Sequence, residues 1–191
     1  MTYRSPFLLA AGCDIMAEIS GRRAEGRVGL LHKEDFYALL DQRHIAYEAC
    51  EHPAVYTMEE VEAQNIPHRE QIVKNLFLRD DKKRGYYLVT LAGHKTVNLK
   101  HLGERIPSRK LTFASEVDLW EFLKLEKGHV TPAGVLNDAQ RRVTVVFDKE
   151  LAGKRVGIHP MENTATVFLA FEDLKSLVEA HGSPVVLCDL D

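Results

Sequence analysis

The chain has 191 residues, of which 45% are hydrophobic and 28% charged, and its formal net charge is −3. These values predict a single globular domain with a sizeable core. No apolar run approaches the ~20 residues that cross a bilayer, which excludes a membrane-spanning protein. Three scattered cysteines without a C-x-x-C pair argue against a disulfide framework or a cysteine zinc site and favour a cytoplasmic location.

The first 27 residues lack a sustained period, and we predict a poorly ordered extension before a domain over residues 28–191. The beginning of this extension weakly resembles a signal peptide. Its apolar part is short, Pro6 interrupts it and Arg4 is its single basic residue, so we interpret it as an extension and not as a secretion signal.

The first half of the domain alternates between helical and strand patterns. Apolar spacing predicts a helix over residues 31–44 and a strand over 45–49, and a capping box at Thr57 opens a helix through Ala63. Residues 71–79 and 86–92 are predicted strands of a hairpin whose turn is 80–85.

The second half continues with both kinds of element. We predict helices over residues 98–105, 115–128 and 171–182, an irregular loop over 128–138, and strands over 143–147, 155–158, 166–171 and 185–188. Hairpins outnumber strand–helix–strand units, which indicates an α+β fold with a mixed sheet and not a doubly wound one.

Charge is unevenly distributed along the chain. Between Lys74 and Lys110 there are ten Lys or Arg residues against three acidic ones, whereas the remainder has 15 basic and 25 acidic residues. A basic segment on an acidic body can attract a polyanion, although a solvated hairpin turn would have the same composition.

Several catalytic motifs are missing from the sequence. It has no phosphate-binding loop, no G-x-G-x-x-G after a strand, no G-x-S-x-G elbow, no H-E-x-x-H pair and no zinc-deaminase signature. We therefore expect neither a metal nor a cofactor.

Three segments place polar residues in apolar surroundings. Lys74 shares one strand face with aliphatic residues, so it either lines a pocket or protects an edge strand. The loop after Gly128 could aim N–H groups at an oxyanion, or could simply stop a helix. The corner over residues 157–166 combines Gly157, His159 and Pro160, as expected of a turn that holds one imidazole in place.

Four ordered motifs resemble one family, the YbaK/ProX-type aminoacyl-tRNA deacylases. The motifs are Lys74-Asn75-Leu76-Phe77-Leu78, Lys95-Thr96-Val97-Asn98-Leu99, Gly128-His129-Val130-Thr131-Pro132 and Gly157-Ile158-His159-Pro160. The resemblance runs from about Leu30 to the C-terminus. It implies a single compact domain with a curved, largely antiparallel sheet and flanking helices, which hydrolyses an amino acid wrongly esterified to tRNA without metal or cofactor.

The resemblance also implies roles for individual residues. Lys74 matches the lysine that contacts the terminal phosphate, His159 the histidine of the aminoacyl pocket, and Gly134 belongs to the loop expected to stabilise the oxyanion. The expected substrate-binding residues are Asn75, Leu76, Gly128, Thr131, Pro132, Val135, Gly157, Pro160 and Asn163. The expected tRNA-binding residues are Arg79, Lys82, Lys83, Arg84, Lys95 and Lys100.

The resemblance is greatest to the members that remove alanine from tRNA(Pro). A synthetase pocket shaped for proline discriminates poorly against the smaller alanine, so a second, smaller site that rejects proline completes the selection. We expect Leu76 and Val135 to form part of the wall of that pocket.

The partners expected are the acceptor end of mischarged tRNA(Pro) and, transiently, prolyl-tRNA synthetase, with the protein itself a monomer. A deacylase for cysteine or serine, a non-catalytic tRNA-binding module and an unrelated small-molecule binder are the alternatives.

Overall fold

The computed structural model describes residues 30–55, 60, 63–64 and 66–190. The predicted extension over residues 1–27 and the capping box at Thr57 lie outside these residues. Glu60 and Ala63, from the helix predicted there, have helical backbone. No helix of the described part of the chain is long and apolar enough to span a bilayer.

Four α-helices are described, and local signals explain their ends. They are α1 (Lys33–Gln42), α2 (Leu99–Arg105), α3 (Glu116–Leu123) and α4 (Phe171–His181). The Asn98 side chain accepts the Lys100 and His101 N–H groups at the start of α2, and Gly182 ends α4 with φ +93°. Helix α3 ends before the predicted Gly128, because Lys124 adopts a left-handed conformation.

The described strands form two sheets. They are β1 (Tyr47–Glu51), β2 (Val73–Asp80), β3 (Tyr86–Ala92), β4 (Leu111–Phe113), β5 (Val143–Asp148), β6 (Arg155–Ile158), β7 (Ala165–Ala170) and β8 (Val185–Cys188). One sheet has the order β4-β2-β3-β5-β8 and the other β1-β7-β6. The α+β class is confirmed, but the strands are divided between two sheets, and the short β4 was not predicted.

Most strand pairs are antiparallel, and the parallel ones lie together. Strand β3 pairs with β5 and β5 with β8 in parallel, whereas the other four pairs among the described strands are antiparallel. The predicted hairpin is confirmed, with Lys74 opposite Leu91 and Asn75 opposite Thr90.

Hydrophobic clusters cover both faces of the five-stranded sheet. Val73 and Phe77 of β2 join the largest cluster, which also includes residues of β6, β7 and helices α1, α3 and α4. Leu78, with the partly buried Leu76, belongs to a second cluster on the opposite face. This division follows from the two-residue period of a strand, and it confirms the predicted faces of β2.

Besides sharing the largest cluster, the two sheets are joined by a backbone bridge between Ile72 and Gly157. Ile72, immediately before β2, makes an isolated parallel bridge with Gly157 of β6. A Cβ at Gly157 would lie 2.7 Å from Cε1 of Phe168 and 3.2 Å from Cγ1 of Ile72. Glycine is therefore required here because the Phe168 ring occupies the space of a side chain.

We expect Gly157→Ala to lower the free energy of unfolding by about 1–3 kcal/mol, since the added methyl group overpacks this contact. Urea denaturation measures the loss. The matched control is Gly103→Ala within α2, where the new Cβ would stay 3.4 Å from its nearest neighbour and helix propensity favours alanine by about 0.5–1 kcal/mol. Equal urea midpoints for Gly157→Ala and wild type would contradict this account of the contact.

Candidate active site

The contact between the sheets bears on Lys74 and His159. The bridge from Ile72 to Gly157 is parallel, and Lys74 and His159 each follow it by two residues on neighbouring segments. Because side-chain direction repeats every two residues in extended backbone, we expect both side chains on the side of Ile72 and Gly157. This register is the basis for grouping two residues that lie 85 positions apart in the chain.

Lys74 is half-buried and its ammonium group is already held. Its Nζ donates to the carbonyl oxygen of Lys95 at 3.0 Å. A lysine has three donors, so two stay available for a bound anion. The neighbouring Asn75 lies on the opposite strand face, where its Oδ1 accepts the Thr90 hydroxyl at 2.8 Å. The structure therefore does not bring the Asn75 side chain to Lys74.

His159 is held as a neutral imidazole. Its Nδ1 lies 3.2 Å from the carbonyl oxygen of Ala165, and because a carbonyl only accepts, Nδ1 carries the proton and Nε2 keeps its lone pair. Burial lowers the pKa of His159, and the nearby His52 and His129 lower it further, although the hydrogen bond to Ala165 acts in the opposite sense. His159 is therefore suited to accept a hydrogen bond at neutral pH.

The corner that carries His159 is fixed by its neighbours. The Thr131 hydroxyl donates to the His159 carbonyl oxygen at 2.7 Å, which joins the loop after Gly128 to the corner. Pro160 is buried, and the buried Met161 adopts a positive φ of 70°. Asn163 is 2% exposed, and its Nδ2 donates to the Val55 carbonyl oxygen at 3.1 Å. In this structure Asn163 secures the segment at Val55.

Two residues that sequence analysis did not select join this site. The His52 and His159 rings lie 6.5 Å apart between centroids, and His52 Nε2 is 2.9 Å from the Thr166 hydroxyl. The His52 Nδ1 faces the Pro53 carbonyl oxygen at 2.8 Å, which only accepts. In the neutral ring Nδ1 therefore carries the proton, and Nε2 accepts a hydrogen bond from the Thr166 hydroxyl. A sequence signal existed, because His52-Pro53 repeats the dipeptide His159-Pro160.

The loop after Gly128 ends in a short helix that engages the Gly134 N–H. Residues Pro132–Asn137 form a 3-10 helix, in which the Gly134 N–H donates to the Thr131 carbonyl oxygen at 3.0 Å. A Cβ at Gly134 would lie 2.5 Å from Cδ1 of Leu125. The structure therefore gives Gly134 a packing role, and its N–H is already engaged. Gly128, with φ +86°, makes the turn into the loop, and Pro132 is buried at the start of the 3-10 helix.

Leu76 and Val135 do not wall a common pocket. Val135 is fully buried in the largest cluster, whereas Leu76 packs against the cluster on the opposite face of the five-stranded sheet. A small cluster of Val55, Ile66, Ile72 and Phe168 lies instead on the side of Gly157 that His159 shares. These residues are therefore the candidates for an apolar wall beside the bridge.

The predicted basic residues separate into different environments. Lys82, Lys83 and Arg84 are exposed at the hairpin turn, about 20 Å along β2 from Lys74 by strand rise. Arg79 is half-buried, with its Nε 3.5 Å from Asp118. Lys100 is exposed on α2.

Lys95 differs from the other predicted tRNA-binding cations. Its Nζ lies 2.9 Å from both Asp148 and Glu150, so this ammonium group is paired inside the protein. The expectation that its side chain faces tRNA is therefore not supported, because two carboxylates already bind it.

A separate cavity of about 400 Å³ lies where the two sheets diverge before the bridge. It is bounded by the start of β2, the end of β3 and the start of β6, and no residue predicted from the sequence as part of the site lines it. Among the residues that the structure describes, no three His, Cys, Asp or Glu side chains converge to hold a metal ion.

Comparisons with known proteins point to one family. Residues 52–177 match the model of the aminoacyl-tRNA editing domain family. The chain is 49% identical over 152 residues to prolyl-tRNA editing protein ProX of Acetoanaerobium sticklandii, covering 79% of this chain and 93% of that protein. It is 36% identical over 155 residues to the mouse prolyl-tRNA synthetase associated domain-containing protein 1, covering 77% of this chain and 89% of the relative.

Solved structures share the fold. A candidate trans-editing enzyme for prolyl-tRNA synthetase superposes with a TM-score of 0.60 at 21% identity, covering 85% of this chain and 98% of that one. The hypothetical protein APE2540 superposes with a TM-score of 0.63, also at 21% identity, covering 83% and 99% of the two chains. The chain belongs to the aminoacyl-tRNA editing domain family, which confirms the resemblance inferred from the four motifs.

The lowered pKa of His159 predicts a pH-dependent loss of stability. Below the ordinary histidine pKa of about 6.5, the unfolded chain binds a proton that the folded state resists, so stability falls with acidification towards the lowered folded pKa. Above that range, both states are neutral and the contribution is constant.

We expect His159→Asn to weaken this fall, because the amide donor can replace Nδ1–H without titrating. Urea unfolding at pH 7.5 and pH 5.5 measures the change for both proteins. An equal decline in the variant and the wild type would assign the acid sensitivity to other groups.

Proposed function

We propose that this protein is a hydrolase that edits mischarged tRNA(Pro), removing alanine from its 3′ end. The observation that supports it best is the register at Ile72 and Gly157, which sets a lysine ammonium and a neutral imidazole on one face beside a small apolar cluster. The family and the names of the relatives point to the same reaction.

Lys74 binds the terminal phosphate of the acceptor end in this proposal. One of its three donors is used by the Lys95 carbonyl, and the other two can bond phosphate oxygens as charge-assisted hydrogen bonds. The lysine therefore positions the ester and does not need to act as a base.

His159 orients the reacting groups through Nε2. The lone pair there accepts a hydrogen bond from the substrate α-amino group or from the attacking water. The water oxygen adds to the ester carbonyl carbon, and the bond from that carbon to the ribose oxygen then breaks. The proton of the water reaches the leaving oxygen through the neighbouring 2′-hydroxyl, giving free alanine and intact tRNA. An aminoacyl ester is already activated, so this limited machinery is sufficient.

Size selection comes from the cluster around Val55 and Ile72. Alanine fits a small site, whereas the proline ring adds methylene groups that a packed wall rejects, at ~1–3 kcal/mol for each methylene. Two hydrogen bonds join the backbone of Val55 to Asn163. They restrain Val55 from moving to make room for a larger side chain.

The remaining partners follow from the exposed charges. Lys82, Lys83 and Arg84 at the hairpin turn can contact phosphates of the acceptor stem at a distance from Lys74, and Lys100 can add a further contact. We propose a monomer in the cytoplasm that meets prolyl-tRNA synthetase transiently, where mischarged tRNA(Pro) is produced.

Single-turnover deacylation of tRNA(Pro) charged with Ala, Ser, Cys or Pro tests the activity. We expect the wild type to release alanine, and Lys74→Ala to be slower by roughly 10- to 150-fold, since a hydrogen bond to a charged group contributes about 1.5–3 kcal/mol.

The matched control is Lys175→Ala, which removes an exposed ion pair with Glu179 on α4 and should keep the wild-type rate. Release of serine or cysteine in place of alanine would reassign the substrate, and tRNA binding without any release would indicate a non-catalytic module.

We expect Val55→Ala to relax the selection against proline. Removing two methyl groups from a side chain that is 2% exposed opens the wall, so release from Pro-tRNA(Pro) should rise relative to release from Ala-tRNA(Pro) by about 10-fold. Val145→Ala makes the same truncation at a fully buried position in the largest cluster, on the sheet face opposite Lys74, and should leave the ratio unchanged. A ratio altered equally by both variants would place the wall elsewhere.

A further inference from the structure

Lys95 is connected to the candidate site through its backbone and to the protein interior through its side chain. Its carbonyl oxygen accepts Lys74 Nζ at 3.0 Å. Its own Nζ lies 2.9 Å from Asp148 Oδ2 and 2.9 Å from Glu150 Oε2. Sequence reasoning grouped Lys95 with cations that contact tRNA, but this ammonium group is already neutralised by two carboxylates.

The carboxylates that bind Lys95 are themselves fixed. Asp148 is 1% exposed at the end of β5, and its Oδ1 accepts the Glu150 N–H at 3.1 Å. Lys95 follows β3, the neighbour of β5, and its N–H donates to the Ala92 carbonyl oxygen at 3.0 Å. The Lys95 backbone is therefore held by its own turn and, through its side chain, by the adjacent strand.

Lys95 and Glu150 stabilise each other in their charged forms. Burial alone would lower the pKa of Lys95, but hydrogen bonds with Asp148 and Glu150 outweigh it and raise that pKa. Hydrogen bonds from Lys154 and Lys95 lower the pKa of Glu150 to about 2. The ion pair between Lys95 and Glu150 is therefore present at neutral pH.

We propose that Lys95 is a positioning residue, whose side-chain anchor on Asp148 and Glu150 fixes the carbonyl that holds Lys74 towards the face it shares with His159. The inference rests on the proposed role of Lys74. An unrestrained lysine would lose rotamer freedom on binding phosphate, whereas a held one has lost it on folding, and ordering one such side chain costs roughly 3- to 10-fold in affinity. Lys95 therefore acts on the substrate only through Lys74.

A double-mutant cycle on tRNA binding tests this relation. The dissociation constant for uncharged tRNA(Pro) is measured, because it is defined even for variants without turnover. We expect Lys95→Met to weaken binding by about 3- to 10-fold and Lys95→Arg, which can keep both ion pairs, to bind like the wild type. In a Lys74→Ala background, Lys95→Met should cause no further loss. A full additional loss there would mean that Lys95 contacts tRNA itself and would overturn the proposal.

A measurement without tRNA separates this inference from the proposed function. Acetylation of Lys74 is followed by mass spectrometry, with Lys175 as the internal reference. We expect Lys95→Met and Asp148→Asn to accelerate labelling of Lys74, because its hydrogen bond is released. Lys154→Met removes a more exposed partner of Glu150 and should leave the labelling unchanged.

The results distinguish the positioning role of Lys95 from the proposed editing function. Unchanged labelling of Lys74 in folded Lys95→Met and Asp148→Asn proteins would overturn the positioning role, whatever the activity. Faster labelling in a protein that binds no tRNA(Pro) would support the hold on Lys74 and refute the proposed function instead. Urea unfolding of every variant identifies any that is not folded, and Asp148→Asn provides a second substitution if Lys95→Met fails to fold.

Discussion

The approach of Ile72 to Gly157 is the contact on which the rest of the structure depends. Two sheets of different size are joined there by one parallel bridge, at a residue where Phe168 leaves no room for a side chain. The same bridge sets the register between Lys74 and His159. A packing constraint at one glycine therefore determines the geometry of a site whose two main residues lie on different sheets.

The candidate site consists of side chains held by hydrogen bonds, with few reactive groups. His159 is held neutral by burial and by a carbonyl at Nδ1, and Thr131 fixes the backbone of the same residue. Lys74 is held by a carbonyl that an interior ion-pair network anchors. An activated ester requires little chemical assistance, so in the proposed reaction the protein contributes mainly orientation and the exclusion of larger side chains.

The basic segment of the sequence divides between two environments in space. Lys82, Lys83 and Arg84 are exposed at the hairpin turn, whereas the Lys95 ammonium group is paired with Asp148 and Glu150. A linear count of charge cannot separate these cases, because the acidic partners follow more than fifty residues later in the chain. The pairing of Lys95 with two carboxylates in the folded chain reveals the difference.

The sequence by itself determined the local elements and the family. Capping residues, turn glycines and apolar periodicity depend only on residues close together in the sequence. They predicted the hairpin, most strand bounds and the faces of β2 correctly. Tertiary structure decided the rest, because it depends on contacts between distant segments. It divided the strands into two sheets, added His52 and Thr166 to the site, and gave Gly134 a packing role. The bridge between Ile72 and Gly157 likewise joins residues far apart in the chain, and the Phe168 ring fills the space beside that glycine.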